Sequence, residues 1–457
     1  MLADLWTQAG GDHDALEQVT LGGGDPILPG RFMVGTAALA TIGAASLAAA
    51  ELWRLRTGRR QRVAVDVRAA AAIFRGERYL RIDGAKPPEP RGKLSGYYRA
   101  GDGRFIQLHC NFPHHEAGVV RVLGCDATRE AVGAAIAGWK AAELEDALAA
   151  AGMCAGMLRA PDEWRRHPQA AAVAALPLLE IERIGDAPPA RPGSGTRPLD
   201  GVRVLDLTRV IAGPVCGRTL AEHGADVLLV TAAHLPSIES LVIDTGHGKR
   251  SARLDLRREP DAERLRVLLR GADVVSQSYR PGALAGLGLS PADVAALRPG
   301  IVYVTLSAYG HEGPWASRRG FDSLVQTVSG IAHEGGREAG IDGPRPLPAQ
   351  ALDHSSGYLA AFGAMMALAR RAREGGSWLV RVSLAQTGRW IDALGRVDGT
   401  PAPEQRLEDV EDLLLTTDSP FGRLRHVRPA ATLSETPARW TRPSMPLGSD
   451  PPTWLDA

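Results

Sequence analysis

The chain has 457 residues, 44% of them hydrophobic, enough length and apolar content for two or three packed domains. Lys plus Arg number 53 and Asp plus Glu 52, a formal net charge of +1 at pH 7. That balance argues against nucleic-acid binding as a main task, while leaving room for a local basic pocket.

In chain order, the start MLADLWTQAGGDHD has no basic stretch leading into an apolar core, so no secretory signal is expected. Gly22–Gly24 reads as a turn rather than a phosphate cradle. From Phe32 to Ala50 no charge occurs over a length that suits a bilayer crossing. The stretch is mostly Ala with Gly, Thr and Ser, and it runs into the amphipathic ELWRLRTGRR. A buried core helix is therefore expected, and no membrane span.

From Leu94 to Leu179, GYYRAGDGRFIQLHC reads as a hairpin with a D-G turn. The helical segments EAGVVRVLG, ATREAVGAAIAGW, AAELEDALAAAG and PDEWRRHPQAAAV follow, giving a small α+β domain. Within it lie His109, Cys110, His114 and His115, whose spacing matches no structural zinc pattern, so no metal is expected. The four cysteines, Cys110, Cys125, Cys154 and Cys216, form no C-x-x-C pair and suit free thiols in a reducing cytoplasm. The Pro- and Gly-rich GDAPPARPGSGTRPLD (185–200) marks a linker.

Beyond it, VRVLDLT (202–208), ADVLLV (225–230), RSARLDL (250–256), ADVVSQS (272–278) and IVYVTLSAYG (301–310) alternate with helical stretches. That alternation predicts parallel βαβ units closing as a doubly wound α/β sheet, with a ligand at the carboxyl ends of the strands. No Walker P-loop, no G-x-G-x-x-G after the first strand and no G-x-S-x-G elbow occurs. The proline-rich last fifty or so residues are expected to wrap as an extended tail.

A faint internal repeat, at an offset of 317 residues, carries Thr36 onto Asp353. It matches Ala44 with Ala361, Arg54 with Arg371, Gly58 with Gly375 and Val63 with Val380. Asp353 opens DHSSGYLAAFGAMMALARRAREGG, and a helix is expected to start just after it. The residue is thus a candidate N-cap. It is equally a candidate nucleophile, kept ionised by the helix end, with the same N–H groups available for an oxyanion. Lys249 and Arg250 in GKRS, and Arg280 in YRPG, are candidate phosphate contacts beside strands of the sheet.

The blocks LDGVRVLDLTRVIAGP, GKRSARLDL, YRPGALAGLGLS and LRPGIVYVTLSAYGHEGPWASRRGFDSLVQ, in that order over about two hundred residues, resemble the class III CoA-transferase family. ALDHSSGY matches the segment that holds that family's catalytic Asp, so the resemblance implies Asp353 as a covalent nucleophile. It implies a Rossmann-like large domain with a smaller α+β domain, threaded as an interlocked homodimer whose site lies between subunits. It also implies acyl-CoA and a carboxylic acid acceptor as partners, coenzyme A as substrate and no permanently bound cofactor. CoA contacts would come from Lys249, Arg250, Arg280, Ile211 and Ala212.

Against the family order, the small-domain segment here precedes the Rossmann-like part, as in a permuted or fused chain. The expected layout is 1–92 (helix and strand, like the end of a family large domain), 93–195 (small domain and linker), 196–395 (large domain) and 396–457 (tail). Leu229, Val230 and Thr231 replace the family's K-V-E, and Ile211 replaces the polar residue of formate-specific members, which disfavours oxalate or formate. Racemases of the family carry a His where Phe321 stands, which favours transfer over racemisation. A degenerate CoA-binding protein is the third possibility, motivated by the domain order and by Thr36.

Overall fold

The computed structural model describes residues 1–88, 92–280 and 282–455. Pro281 of the YRPG stretch lies outside them, as do the last three residues before Gly92 and the last two of the tail.

Seven strands form the main sheet: β1 (Glu180–Gly185), β2 (Arg203–Asp206), β3 (Asp226–Thr231), β4 (Lys249–Arg253), β5 (Val274–Gln277), β6 (Val302–Ser307) and β7 (Ser377–Ser383). Their order across the sheet is β4-β3-β2-β5-β6-β7-β1. Strands β2 to β7 are mutually parallel, and β1 pairs antiparallel with β7 at one edge. Helices cover both faces, so the inner strands need apolar residues on both sides; all four residues of β5 are buried. Counted from β2, this is the strand order of a doubly wound sheet, the architecture expected from the sequence, and the order reverses between β2 and β5. Such a reversal opens a crevice at the carboxyl ends of those strands.

Four helices matter for the site: α1 (Val34–Thr57), α2 (Ala212–Glu222), α3 (Asp322–Val328) and α4 (Ala351–Glu374). Among the described residues only α1 is long and apolar enough to cross a membrane. Here Val34 through Trp53 are all buried, and α1 packs along α4 in the main hydrophobic core. Both helices have 24 residues and both are followed by a glycine at positive φ, Gly58 and Gly375. Their first and last residues stand at the same 317-residue offset that aligns Thr36 with Asp353. Neither is capped by the residue before it; each borrows a distant aspartate. Asp25 accepts from the N–H groups of Gly35 and Thr36 at 3.2 and 2.8 Å, and Asp322 accepts from Asp353 N–H at 2.9 Å.

The small domain is the hairpin Gly96–Arg99 with Phe105–Leu108, as read, plus a third strand, Ala155–Met157. It docks on α3: Thr327 Oγ1 lies 2.5 Å from Gln107 Oε1 and 2.9 Å from the Tyr97 hydroxyl. Part of the tail is more regular than the extended run expected. Leu414–Ser419 and Gly422–Val427 form a hairpin that pairs with Arg81–Ile82, and Ala431–Leu433 pairs with Val63–Asp66. These partners lie more than three hundred residues upstream, so local sequence did not announce them.

Candidate active site

Asp353 is the third residue of α4, within its first turn rather than ahead of it. The cap expected of it is supplied by Asp322, the first residue of α3. Asp322 also accepts from the Gln326 side chain, and Gln326 in turn holds Leu347 N–H at 2.7 Å. The N–H groups expected to stabilise an oxyanion are therefore engaged, at Asp353 and at Leu352.

The electrostatics reverse the sequence expectation as well. Burial, joined by the Asp322 and Glu77 charges, pushes the Asp353 carboxyl well above the usual carboxylate range. Asp322 is pushed up to about 6 by burial, against the hydrogen bonds it accepts from Asp353 N–H and Gln326. Glu77 ends below the usual range, because His354 and Arg78 outweigh its burial. Its carboxylate stands 3.8 Å from His354 Nε2. Asp353 is thus a basic carboxylate, more nucleophilic once ionised.

Asp353 sits where two cavities meet, and Val210, Ile211 and Phe321 line both with it. The first, about 480 Å³, lies at the carboxyl ends of the strands, beyond Leu207, Ser278 and Leu306. Asp353 is the one carboxylate among its described lining residues, facing Arg209, Arg280, Arg318 and Arg319. The second, about 810 Å³, opens toward the N-terminal segment and is lined by Arg75, Glu77 and Arg78 as well as by Gln107 and His109 of the small domain. One chain therefore brings all of its segments to Asp353.

The stretch from Arg209 to Gly213 shapes the junction. Val210 holds φ at 75°, a conformation that costs a β-branched residue on the order of 1–3 kcal/mol. Next to it the first turn of α2 has no side-chain cap, and Ile211, Ala212 and Gly213 border the strand-end cavity. Helix N-termini leave their first N–H groups without intrahelical acceptors, so this turn, rather than α4, carries donors for a developing oxyanion. Gly357 lets α4 come this close: a Cβ there would lie 2.5 Å from the Ala212 carbonyl oxygen.

Of the five CoA contacts expected from the sequence, Ile211, Ala212 and Arg280 share the strand-end cavity with Asp353. Arg280 is exposed at its edge. Lys249 and Arg250 line neither cavity at Asp353; both are buried in β4. Lys249 Nζ donates to Asp206 Oδ2 and to the Pro214 carbonyl, both at 2.8 Å, and Asp206 accepts from Thr208 Oγ1 at 2.6 Å. The lysine thereby braces the loop that carries Val210. Arg250 pairs with Asp226 at 2.9 Å and donates to the Thr453 carbonyl at 2.7 Å.

Arg75 lies in no motif, and Arg209, Arg318 and Arg319 lie in the family-like blocks without having been named as site residues. Arg209, beside the strained valine, is half-buried; it donates to the Pro236 carbonyl and lies over the Phe112 ring. His115 Nε2 lies 3.9 Å from Cys154 Sγ. Burial pushes that thiol up to about 12 and the imidazole down to about 4, so the pair is neutral and offers no thiolate. Among the described residues no group of three His, Cys, Asp or Glu is placed to hold a metal ion.

The sequence model of CoA-transferase family III matches residues 15–180 and again 199–395. The chain belongs to CoA-transferase family III. It is 37% identical over 207 residues to an acetyl-coenzyme A transferase of Hypoxylon pulicicidum, covering 44% of this chain and 35% of that one. It is 32% identical over 192 residues to a succinyl-CoA:glutarate CoA-transferase of Mus musculus, covering 39% and 43%. Among solved structures, Rv3272 from Mycobacterium tuberculosis is 33% identical, with a TM-score of 0.40 over 43% of this chain and 57% of that chain. This family III chain thus spans about a third to a half of the length of the curated relatives it matches.

Proposed function

We propose that the protein is an acyl-CoA:carboxylate CoA-transferase that works through an aspartyl-CoA thioester on Asp353. One observation carries this: the family's nucleophile position holds a buried, basic carboxylate at the meeting point of two cavities, one of them lined by four arginines. The strand-end cavity takes the CoA arm, with Arg280 at its edge facing phosphate. The other takes the acyl group and then the acceptor acid.

In this mechanism an Asp353 oxygen attacks the thioester carbonyl and CoA thiolate leaves, giving a mixed anhydride. The thiolate then attacks the aspartyl carbonyl carbon, releasing the free acid and forming aspartyl-CoA. An acceptor carboxylate attacks that thioester, and the two steps run in reverse. Burial excludes water that would hydrolyse the intermediate. The N–H groups at the start of α2 hold the oxyanions, and the braced Val210 loop fixes their position. The functional form is a homodimer in the same proposal.

One observation favours a second chemistry, α-proton exchange on the acyl-CoA. Phe321 cannot move a proton, but the His109 ring stacks on it with centroids 3.6 Å apart. Incubation of acyl-CoA with a free acid in heavy water separates the two. Transfer predicts a new CoA ester without α-deuterium; α-deuterium without a new ester refutes it.

A further inference from the structure

Another cavity, of about 340 Å³, shares no described lining residue with the two at Asp353. Its lining comes from the tail, between Leu415 and Pro443, except for His247, which stands two residues ahead of Lys249. Arg428, Arg439 and Arg442 line it, and no carboxylate does among its described lining residues. Two of these guanidiniums are barely engaged. That of Arg428 donates to no described residue, and Asp412, whose charge reaches it, is paired with Arg68 at 3.0 Å. That of Arg439 reaches the Pro437 carbonyl at 3.5 Å, while Arg442 pairs with Asp450 at 3.1 Å. Stacked rings line the same cavity. His247, 2% exposed, lies on His426 with centroids 3.9 Å apart and on Trp440 at 5.0 Å. His426 uses both ring nitrogens, toward Thr417 Oγ1 at 3.0 Å and the Val427 carbonyl at 3.2 Å. Trp440 Nε1 donates to the Arg218 carbonyl at 3.2 Å. His247 uses neither nitrogen: no described residue bonds to its ring, and Nε2 is fully enclosed. Such a buried polar ring costs stability unless a partner reaches it.

We propose that this cavity binds a phosphate-bearing small molecule, held by Arg428, Arg439 and Arg442, with His247 as its buried polar contact. Planar guanidinium forks suit an oxyanion with several acceptor atoms. Three arginines around one cavity match a group carrying close to two negative charges, which a phosphate monoester is near neutral pH and a single carboxylate is not. Burial keeps both imidazoles below their ordinary range, His426 at about 4, so the rings enter as neutral hydrogen-bonding groups beside the arginines. The ligand fastens the tail to the catalytic sheet. Gly248 N–H already donates to the Arg442 carbonyl at 3.0 Å, one residue from the lysine that braces the Val210 loop. Gly248 has φ at 79°, and a Cβ there would lie 3.0 Å from Trp440 Cδ1, so this contact is close on both sides of the cavity wall.

The test is nuclear magnetic resonance on the full chain with isotope-labelled histidine, titrated at constant ionic strength with inorganic phosphate, ADP, free CoA and acetate. Affinity is read from the His247 and His426 ring resonances, assigned with His247→Gln and His426→Gln. Wild type, the double variant Arg428→Gln/Arg439→Gln and His247→Gln are compared, with melting temperatures recorded for each. The proposal expects a saturable shift of both rings with a phosphate-bearing probe and none with acetate. It expects binding at least tenfold weaker in the double variant, whose transfer kcat and KM stay within twofold of wild type because both residues lie outside the cavities at Asp353. ADP or CoA binding more tightly than phosphate supports the site and identifies a nucleotide; phosphate binding as tightly supports it and identifies the phosphate group alone. No saturable shift with any phosphate probe, an equal shift with acetate, or unchanged affinity in the double variant overturns it. So does a His247→Gln variant that melts lower with phosphate affinity unchanged, the mark of a stack built for packing. The resonances report binding without turnover, so this result is separate from the outcome of the transfer assay.

Discussion

Replacing Asp353 by Asn removes the nucleophile and also one charge from a buried acidic cluster, and these effects point in opposite directions. Activity is lost, because an amide forms neither the anhydride nor the thioester. Stability rises at neutral and alkaline pH. Asp353 and Asp322 both have folded-state values above the ordinary carboxylate value: burial raises both, and the Asp322 and Glu77 charges raise Asp353 further. An acid whose folded value is raised contributes stability that is fully present below its unfolded value and is lost as pH rises through the folded value. For Asp322, moving from 3.8 to about 6 corresponds to a cost of about 3 kcal/mol once it is ionised. Ionising Asp353 against burial and the Asp322 and Glu77 charges costs stability in the same sense, and Asn removes that cost. Urea denaturation of wild type and Asp353→Asn at pH 4 and pH 8 measures it. The variant should exceed wild type at pH 8 and converge on it near pH 4, where both carboxyls are protonated. A variant less stable than wild type at pH 8, or a difference that does not change with pH, contradicts the charged-cluster picture.

Three further outcomes follow from the site. Asp322→Asn removes the charge beside Asp353, so the Asp353 value falls and the acidic limb of the kcat/KM profile moves to lower pH; an unmoved limb removes Asp322 from the titrating pair. Lys249→Met leaves Asp206 buried without its ion partner, which costs about 3–5 kcal/mol, and a thermal melt showing no loss would refute the bracing role. Arg280→Ala, at the cavity edge, should instead leave the melt unchanged and raise KM for acyl-CoA, since a charge-assisted bond to phosphate contributes about 1.5–3 kcal/mol; an unchanged KM takes Arg280 out of the site.

The parallel sheet was legible because β2, β3, β5 and β6 have apolar centres spaced by helical stretches, and these strands and the charged β4 were each read within a few residues of their ends. Strand β1 was not, since EIERIG adjoins the linker and lies outside the run of alternating strands and helices; its antiparallel partner β7 makes it a strand. Lys249 and Arg250 looked like ligand contacts because strand charges without visible partners suggest an open face. Their partners are Asp206 on β2 and Asp226 on the adjacent strand β3, and only the folded sheet brings them there. The start of α4 was misplaced for a related reason. A local Asp looks like a cap, whereas the cap is Asp322, 31 residues away. Arg75 carries no motif, and Arg209 lies in the block LDGVRVLDLTRVIAGP without being marked as a site residue; what distinguishes both is their place beside a cavity. By contrast the 317-residue offset that aligns Thr36 with Asp353 was legible in sequence, and the two helices share it in length and in the glycine that follows each.

The most direct measurement of the nucleophile is trapping. Wild-type protein is incubated with acyl-CoA, treated with hydroxylamine, digested and mapped by mass spectrometry. An aspartyl thioester predicts a hydroxamate on the peptide containing Asp353, loss of activity in proportion to its yield, and no modification in Asp353→Asn. Turnover with Asp353 unmodified, or the hydroxamate on another carboxylate such as Asp322 or Glu77, would contradict the assignment.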